Sequence, residues 1–129
     1  MVTIKRFEDL EIWQLARKLC NDIYYIMTTT SLKSDYKLSD QINGSSGSVM
    51  DNIAEGFERD GKKEFRQFLS ISKGSCGETR SQLCRAFDRK YIDQEKFEEL
   101  NEKTILISKK ISSFINYLNN SNYAGTKYK

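Results

Sequence analysis

The sequence contains no histidine, no proline and only three cysteines. Without histidine the chain lacks the commonest general base, metal ligand and neutral-pH switch. Serine triads, zinc-protease motifs and di-iron bundles in their usual forms are thereby excluded. Proline is poorly tolerated inside long helices and common in loop-rich folds, so its absence favours long helices. Cys20, Cys76 and Cys84 are odd in number and lack metal-ligand spacing, which argues against a disulfide framework. Each lies among apolar helical neighbours, the setting of a buried, reduced thiol. No run approaches the ~18 consecutive apolar residues of a membrane span. The opening MVTIKRFEDLEIW has no apolar segment long enough for a secretory signal. These absences predict a cytoplasmic protein.

What is present suits one helical domain over residues 1–129. Seven Phe, seven Tyr and a Trp are too many aromatics for a disordered chain, and the length fits a single domain. Apolar residues recur at helical spacing in four stretches. The first is Phe7, Leu10, Trp13, Ala16, Cys20, Ile23, Met27, ended by the threonines at 28–30. The second is Leu38, Ile42, Ser46, Val49, Ile53, Phe57, broken by Asp60-Gly61, with Asp60 placed to cap the next helix. The third carries Phe65, Phe68, Leu69, Ser72, Cys76, Thr79, Leu83 and Phe87. The fourth reads Phe97, Leu100, Thr104, Ile107, Ile111, Phe114, Leu118, alternating steps of three and four as in coiled-coil packing. The spacing predicts helices over about 7–28, 36–58, 62–89 and 93–119, with a frayed tail at 120–129. Joined by short connections, they form an all-α, antiparallel, up-down-up-down four-helix bundle.

Several motifs resemble one family. Asp51–Arg59 (DNIAEGFER), Glu64–Leu69 (EFRQFL), then Gly74, Ser75, Glu78 and Gln82-Leu83 are similar to the bacterial four-helix-bundle proteins encoded in intervening sequences of 23S ribosomal RNA genes. The opening FEDLEIWQLARKL resembles that family's first helix, and the likeness covers roughly residues 7–118. The resemblance implies a four-helix protomer assembled as a ring, typically a pentamer. A related accessory protein of diversity-generating retroelements, similar in fold, binds nucleic acid and a reverse transcriptase. Where many relatives are basic early in the second helix, this chain reads Gln41-Ile42-Asn43-Gly44, which weakens a carry-over of nucleic-acid binding to that helix.

The outward faces carry the remaining signal. Residues 31–60 hold three positive and six negative charges, whereas 61–90 hold eight and three. Rotation by ~100° per residue gathers Lys62, Arg66, Lys73 and Arg80 into one stripe beside the core seam of the third helix. With Lys63 they form the candidate nucleic-acid contact, because phosphates require several cations on one face. Ser70, Gly74, Gly77 and Ser81 form a second stripe nearly opposite the core. On the second helix Gly44, Gly47, Asp51 and Glu55 lie away from the core, with Asp40 and Glu58. Glycine within a helix costs ~1 kcal/mol relative to alanine, so small residues there point to a close-packing subunit interface. An acidic second helix facing a basic third helix would supply steering and register between subunits.

Catalysis has little support. Glu55, Glu64 and Glu78 suit salt bridges and helix ends better than acid–base or metal chemistry. The glycines match no phosphate-binding loop, Trp13 sits in an apolar stripe, and no sheet presents Tyr24, Tyr25, Tyr117, Tyr123 or Tyr128 for base stacking. The expectation is a non-enzymatic homo-oligomer with no cofactor and no metal, engaging RNA or a nucleoprotein partner through its basic surface. The alternative is a structural scaffold or protein-interaction module with no nucleic-acid affinity, its basic stripe used between subunits.

Overall fold

A computed structural model describes residues 4–121; residues 122–129, most of the segment expected to fray, lie outside the described part. Four helices, α1 (Glu11–Thr29), α2 (Tyr36–Glu58), α3 (Lys62–Asp88) and α4 (Gln94–Asn119), form an all-α bundle. Among the described residues there is no strand.

Helix α1 begins later than the apolar period implies. Phe7–Asp9 makes a short 3-10 turn, and Leu10 is extended at φ −77°, ψ 127° and buried. Gln14 reaches back to donate to the Glu8 carbonyl at 2.9 Å, and Phe7 meets Trp13 edge-on at 5.1 Å. Because the stripe was phased from residues that precede the helix, its later members slip. Leu19 and Ile26 are fully buried, while Cys20 and Met27 are only partly so. The threonines end α1 by folding their hydroxyls onto its last carbonyls, Thr29 onto Tyr25 at 2.6 Å and Thr30 onto Ile26 at 2.5 Å.

Asp35 caps α2 by accepting from Leu38 N at 3.2 Å, and Asp93 caps α4 by accepting from Lys96 N at 2.8 Å. Asp60 has no such role: the N-cap of α3 is Gly61, at φ 114°, and no side chain caps that end. Helix α3 stops in a left-handed residue, Lys90 (φ 64°), with Tyr91 N bonded to Ala86 O and Lys90 N to Phe87 O, both at 2.9 Å.

The seam between α2 and α3 is close and polar. Ser72 donates to Val49 O at 2.6 Å, and Ser45 donates to Gln82 Oε1 at 2.6 Å with Thr79 Oγ1 2.8 Å away. Each of these buried hydroxyls thus finds a partner, as burial requires. Gly56 makes the approach possible: a Cβ there would lie 2.7 Å from Phe68 Cβ and 2.8 Å from Phe65 Cδ1. Aromatic rings close both ends of the core, Phe65 against Phe57 and Phe114 at one, Phe87 stacked on Phe97 at 4.9 Å at the other.

The third stripe departs from expectation at its edges, where Phe87 is only partly buried and Ala86 fully buried. Phe68 is partly exposed and Gln82 is buried, because Gln82 satisfies its carbonyl across the seam. The thiols also divide. Cys76 is buried, donates to Thr104 O at 3.2 Å and has its pKa pushed up to about 11 by burial. Cys20 is half-buried and Cys84 exposed, since residue 84 turns out of the core phase set by Cys76 and Leu83.

Candidate nucleic-acid interface

The side of α3 away from α2 forms an open groove with α4. Its first half is lined by Lys63, Arg66, Gln67, Phe68, Ile71, Ile115 and Asn119. Its second half, with a volume of about 740 Å³, is lined by Lys73, Gly74, Gly77, Arg80, Ser108, Ser112 and Asn116. Ser70 belongs to both halves, so they are continuous. The basic stripe and most of the small-residue stripe thus share one depression. Lys63, Arg66, Lys73 and Arg80 form its cationic wall, while Ser70, Gly74 and Gly77 lower its floor. Ser81 is exposed and lines neither half.

No carboxylate lines the groove. Among the described residues Lys63, Lys73 and Arg80 have neither an ion pair nor a hydrogen-bond partner. Lys62 and Arg66 touch only neutral groups. Lys62 Nζ donates to Ser121 O at 3.2 Å, and Arg66 donates to Asn119 Oδ1 at 2.5 Å. Arg66 Nε is buried with no acceptor, the one such side-chain atom among the described residues. The cations on the α1–α4 edge behave differently: Lys103 pairs with Asp22 at 2.7 Å and Lys110 with Glu11 at 3.1 Å.

On α2, Gly44 and Gly47 lie on the outer side, where an added Cβ would meet nothing within 4 Å. Asp51 is exposed beside them, and Glu55 pairs with Arg59 along its own helix at 3.0 Å. Glu64 and Glu78 are exposed. Among the described residues no three His, Cys, Asp or Glu side chains converge as a metal site would require, and no helix is long and apolar enough to cross a membrane.

A family model described as 23S rRNA-intervening sequence protein matches residues 8–113. The chain belongs to this family. A solved structure resembles it with a TM-score of 0.74 at 23% identity, covering 81% of this chain and 97% of the other. That structure is a protein of unknown function from the S23 ribosomal protein family of Bacteroides thetaiotaomicron. Among curated proteins none matches. The segment matched to the 23S rRNA-intervening sequence family contains the whole of α3, and so the cationic wall of the groove. Ile115, Asn116 and Asn119, on the opposing wall, lie past its end.

Sequence periodicity missed two residues that hold this arrangement. Gly56 was visible as a glycine three residues after Ile53 and seven after Val49, on the core face of α2. Asp35 was visible as an acidic residue just before an apolar-periodic run. It accepts from Tyr91 OH at 2.7 Å and pairs with Arg89 at 2.8 Å. The hydrogen bonds from Tyr91 and from Leu38 N, with the nearby Arg89, hold its carboxyl below the ordinary range.

Proposed function

We propose that this chain is a non-enzymatic, cytoplasmic helical-bundle protein that assembles with itself and engages RNA, or an RNA–protein assembly, through the α3–α4 groove. The observation that carries the reading is the groove's unneutralised row of cations, set against the paired lysines of the α1–α4 edge. Exposed cations without carboxylate partners are the groups that can release counterions from a phosphate backbone. The description of the matching family, which refers to the 23S rRNA intervening sequence, agrees with such a partner. An up-down-up-down protomer accords with the side-chain pairs. Positions 56, 49, 45 and 41 of α2 meet 65, 72, 79 and 85 of α3. Titration with RNA at two salt concentrations tests the reading. Binding should weaken steeply as salt rises, and no binding at low salt overturns it.

A scaffold without nucleic-acid affinity has its own support in the outer face of α2. Gly44, Gly47 and Asp51 offer an acidic, low surface that complements the groove of a second copy. A ring of five, the number implied by the family likeness, would repeat the groove around an axis and raise avidity for a long ligand. Light scattering separates the two. On the scaffold reading, Asp51→Lys with Glu55→Lys lowers the assembled mass. On the RNA reading, Lys73→Glu with Arg80→Glu abolishes RNA binding and leaves the mass unchanged.

A further inference from the structure

Resting on that reading, we infer that the α3–α4 groove selects an extended single strand of nucleic acid over a duplex. The argument begins with the spacing of the cations. Arg66, Lys73 and Arg80 stand seven residues apart on one continuous helix, so each step rises by roughly 10.5 Å and the row spans about 21 Å in a nearly straight line. One strand of a DNA duplex advances ~3.4 Å per nucleotide along the axis, so about six nucleotides pass along that row, and in an A-form RNA duplex, whose rise is shorter, more do. A duplex turns fully in about 10–10.5 base pairs, and six pairs carry the strand through more than half a turn. In a duplex whose axis lies along α3, a strand that meets Arg66 has therefore wound to the far side before it reaches Arg80. A single strand has no such constraint and can follow all three cations.

The rest of the groove favours the same occupant. The cations form one row, on α3; the facing wall carries the neutral groups Ser108, Ser112, Asn116 and Asn119 and no second row for a second strand. Gly74 and Gly77 leave the floor low beside Lys73 and Arg80, with nothing within 4 Å of where their Cβ atoms would stand, so a backbone can lie close to the helix. At the other end, Arg66 is held at one nitrogen by Asn119 while its Nε has no acceptor. No aromatic ring lines the glycine-floored half, so contact there is to the strand's backbone and independent of base sequence.

Fluorescence anisotropy with labelled oligouridine and with an RNA duplex of the same length, using the full chain, tests this. The single strand should bind about tenfold more tightly than the duplex. With three phosphates neutralised per groove, the slope of log affinity against log salt is about −2, so binding weakens roughly fifteenfold between 50 and 200 mM salt. Lys73→Glu with Arg80→Glu should abolish the preference together with most of the binding, while Lys103→Gln, outside the groove, should change neither. Equal or tighter duplex binding that still depends on Lys73 and Arg80 overturns the single-strand inference and leaves RNA engagement standing. Absence of binding by either probe at low salt overturns both. A change of assembled mass in Lys73→Glu/Arg80→Glu assigns the groove to a neighbouring subunit and also overturns the inference.

Discussion

The seam between α2 and α3 and the groove between α3 and α4 both use glycine, and the two uses are opposite. At Gly56 the missing side chain is filled by a neighbour, with Phe65 and Phe68 standing where a Cβ would be. At Gly74 and Gly77 the missing side chain leaves open space. In the first case glycine is required by the protomer's own packing. In the second the protomer gains nothing, since glycine in a helix costs ~1 kcal/mol relative to alanine and no internal contact offsets it. Local stability therefore explains Gly56 and does not explain Gly74 or Gly77. Their use must be sought outside the protomer, where the unpaired cations also point.

Substitutions at these positions separate the two uses. Gly56→Ala has the largest expected effect. The nearest atom is Phe68 Cβ, at the root of its side chain, so relief requires the helices themselves to move apart. Overpacking of this kind costs about 1–3 kcal/mol, read as a lower denaturation midpoint. Gly74→Ala and Gly77→Ala should each act in the opposite direction, raising stability by about 0.5–1 kcal/mol, because alanine is the better helix former and its methyl meets nothing. The same methyl raises the groove floor, so RNA affinity should fall while stability rises. Gly74→Leu should leave the protomer helical; if it also lowers the assembled mass, the floor belongs to a subunit contact. A loss of stability in Gly77→Ala would show that the two regions do not differ as described.

Lys90 extends the comparison to a place where glycine is missing. It holds a left-handed conformation at φ 64° at the end of α3, which a residue with a Cβ adopts only at some cost. Lys90→Gly should therefore stabilise the protein by about 0.5–1 kcal/mol by chemical denaturation, the reverse of what glycine does inside α3.

The sequence revealed the helices more readily than the contacts between them. Apolar spacing marked α2, α3 and α4 because their buried residues share one phase over more than twenty positions each. It misplaced the start of α1 because Phe7 and Leu10 are apolar and in step yet lie on a 3-10 turn and an extended residue, held by the Gln14–Glu8 bond and the Trp13 ring. It read Cys84 as buried because neighbouring apolar residues do not fix which way one position turns. The small-residue and basic stripes of α3 looked separate on a helical wheel. They join in space because α4 supplies a common opposite wall, and a wheel of one helix contains no second helix.

The smallest expected effect is at Asp35, which ties the start of α2 to the chain just after α3 at one end of their seam. Its carboxylate caps α2, accepts the Tyr91 hydroxyl and pairs with Arg89, so its folded pKa lies below the unfolded value of about 3.9. A lowered folded pKa means that this stabilisation is present above about pH 4 and is lost as pH falls through the folded value. Tyr91 shifts the other way, held above its usual pKa first by the hydrogen bond to Asp35, so its contribution is lost only as pH rises past about 10. Asp35→Asn keeps an acceptor for Leu38 N but cannot ionise. Its thermal midpoint at pH 7 should fall slightly, and the acid limb of its stability profile should be shallower than that of the parent. Tyr91→Phe should leave the cap in place and remove only part of the acid dependence, because Leu38 N and Arg89 still favour the charged form. An acid limb unchanged in Asp35→Asn would mean that other carboxylates govern unfolding at low pH.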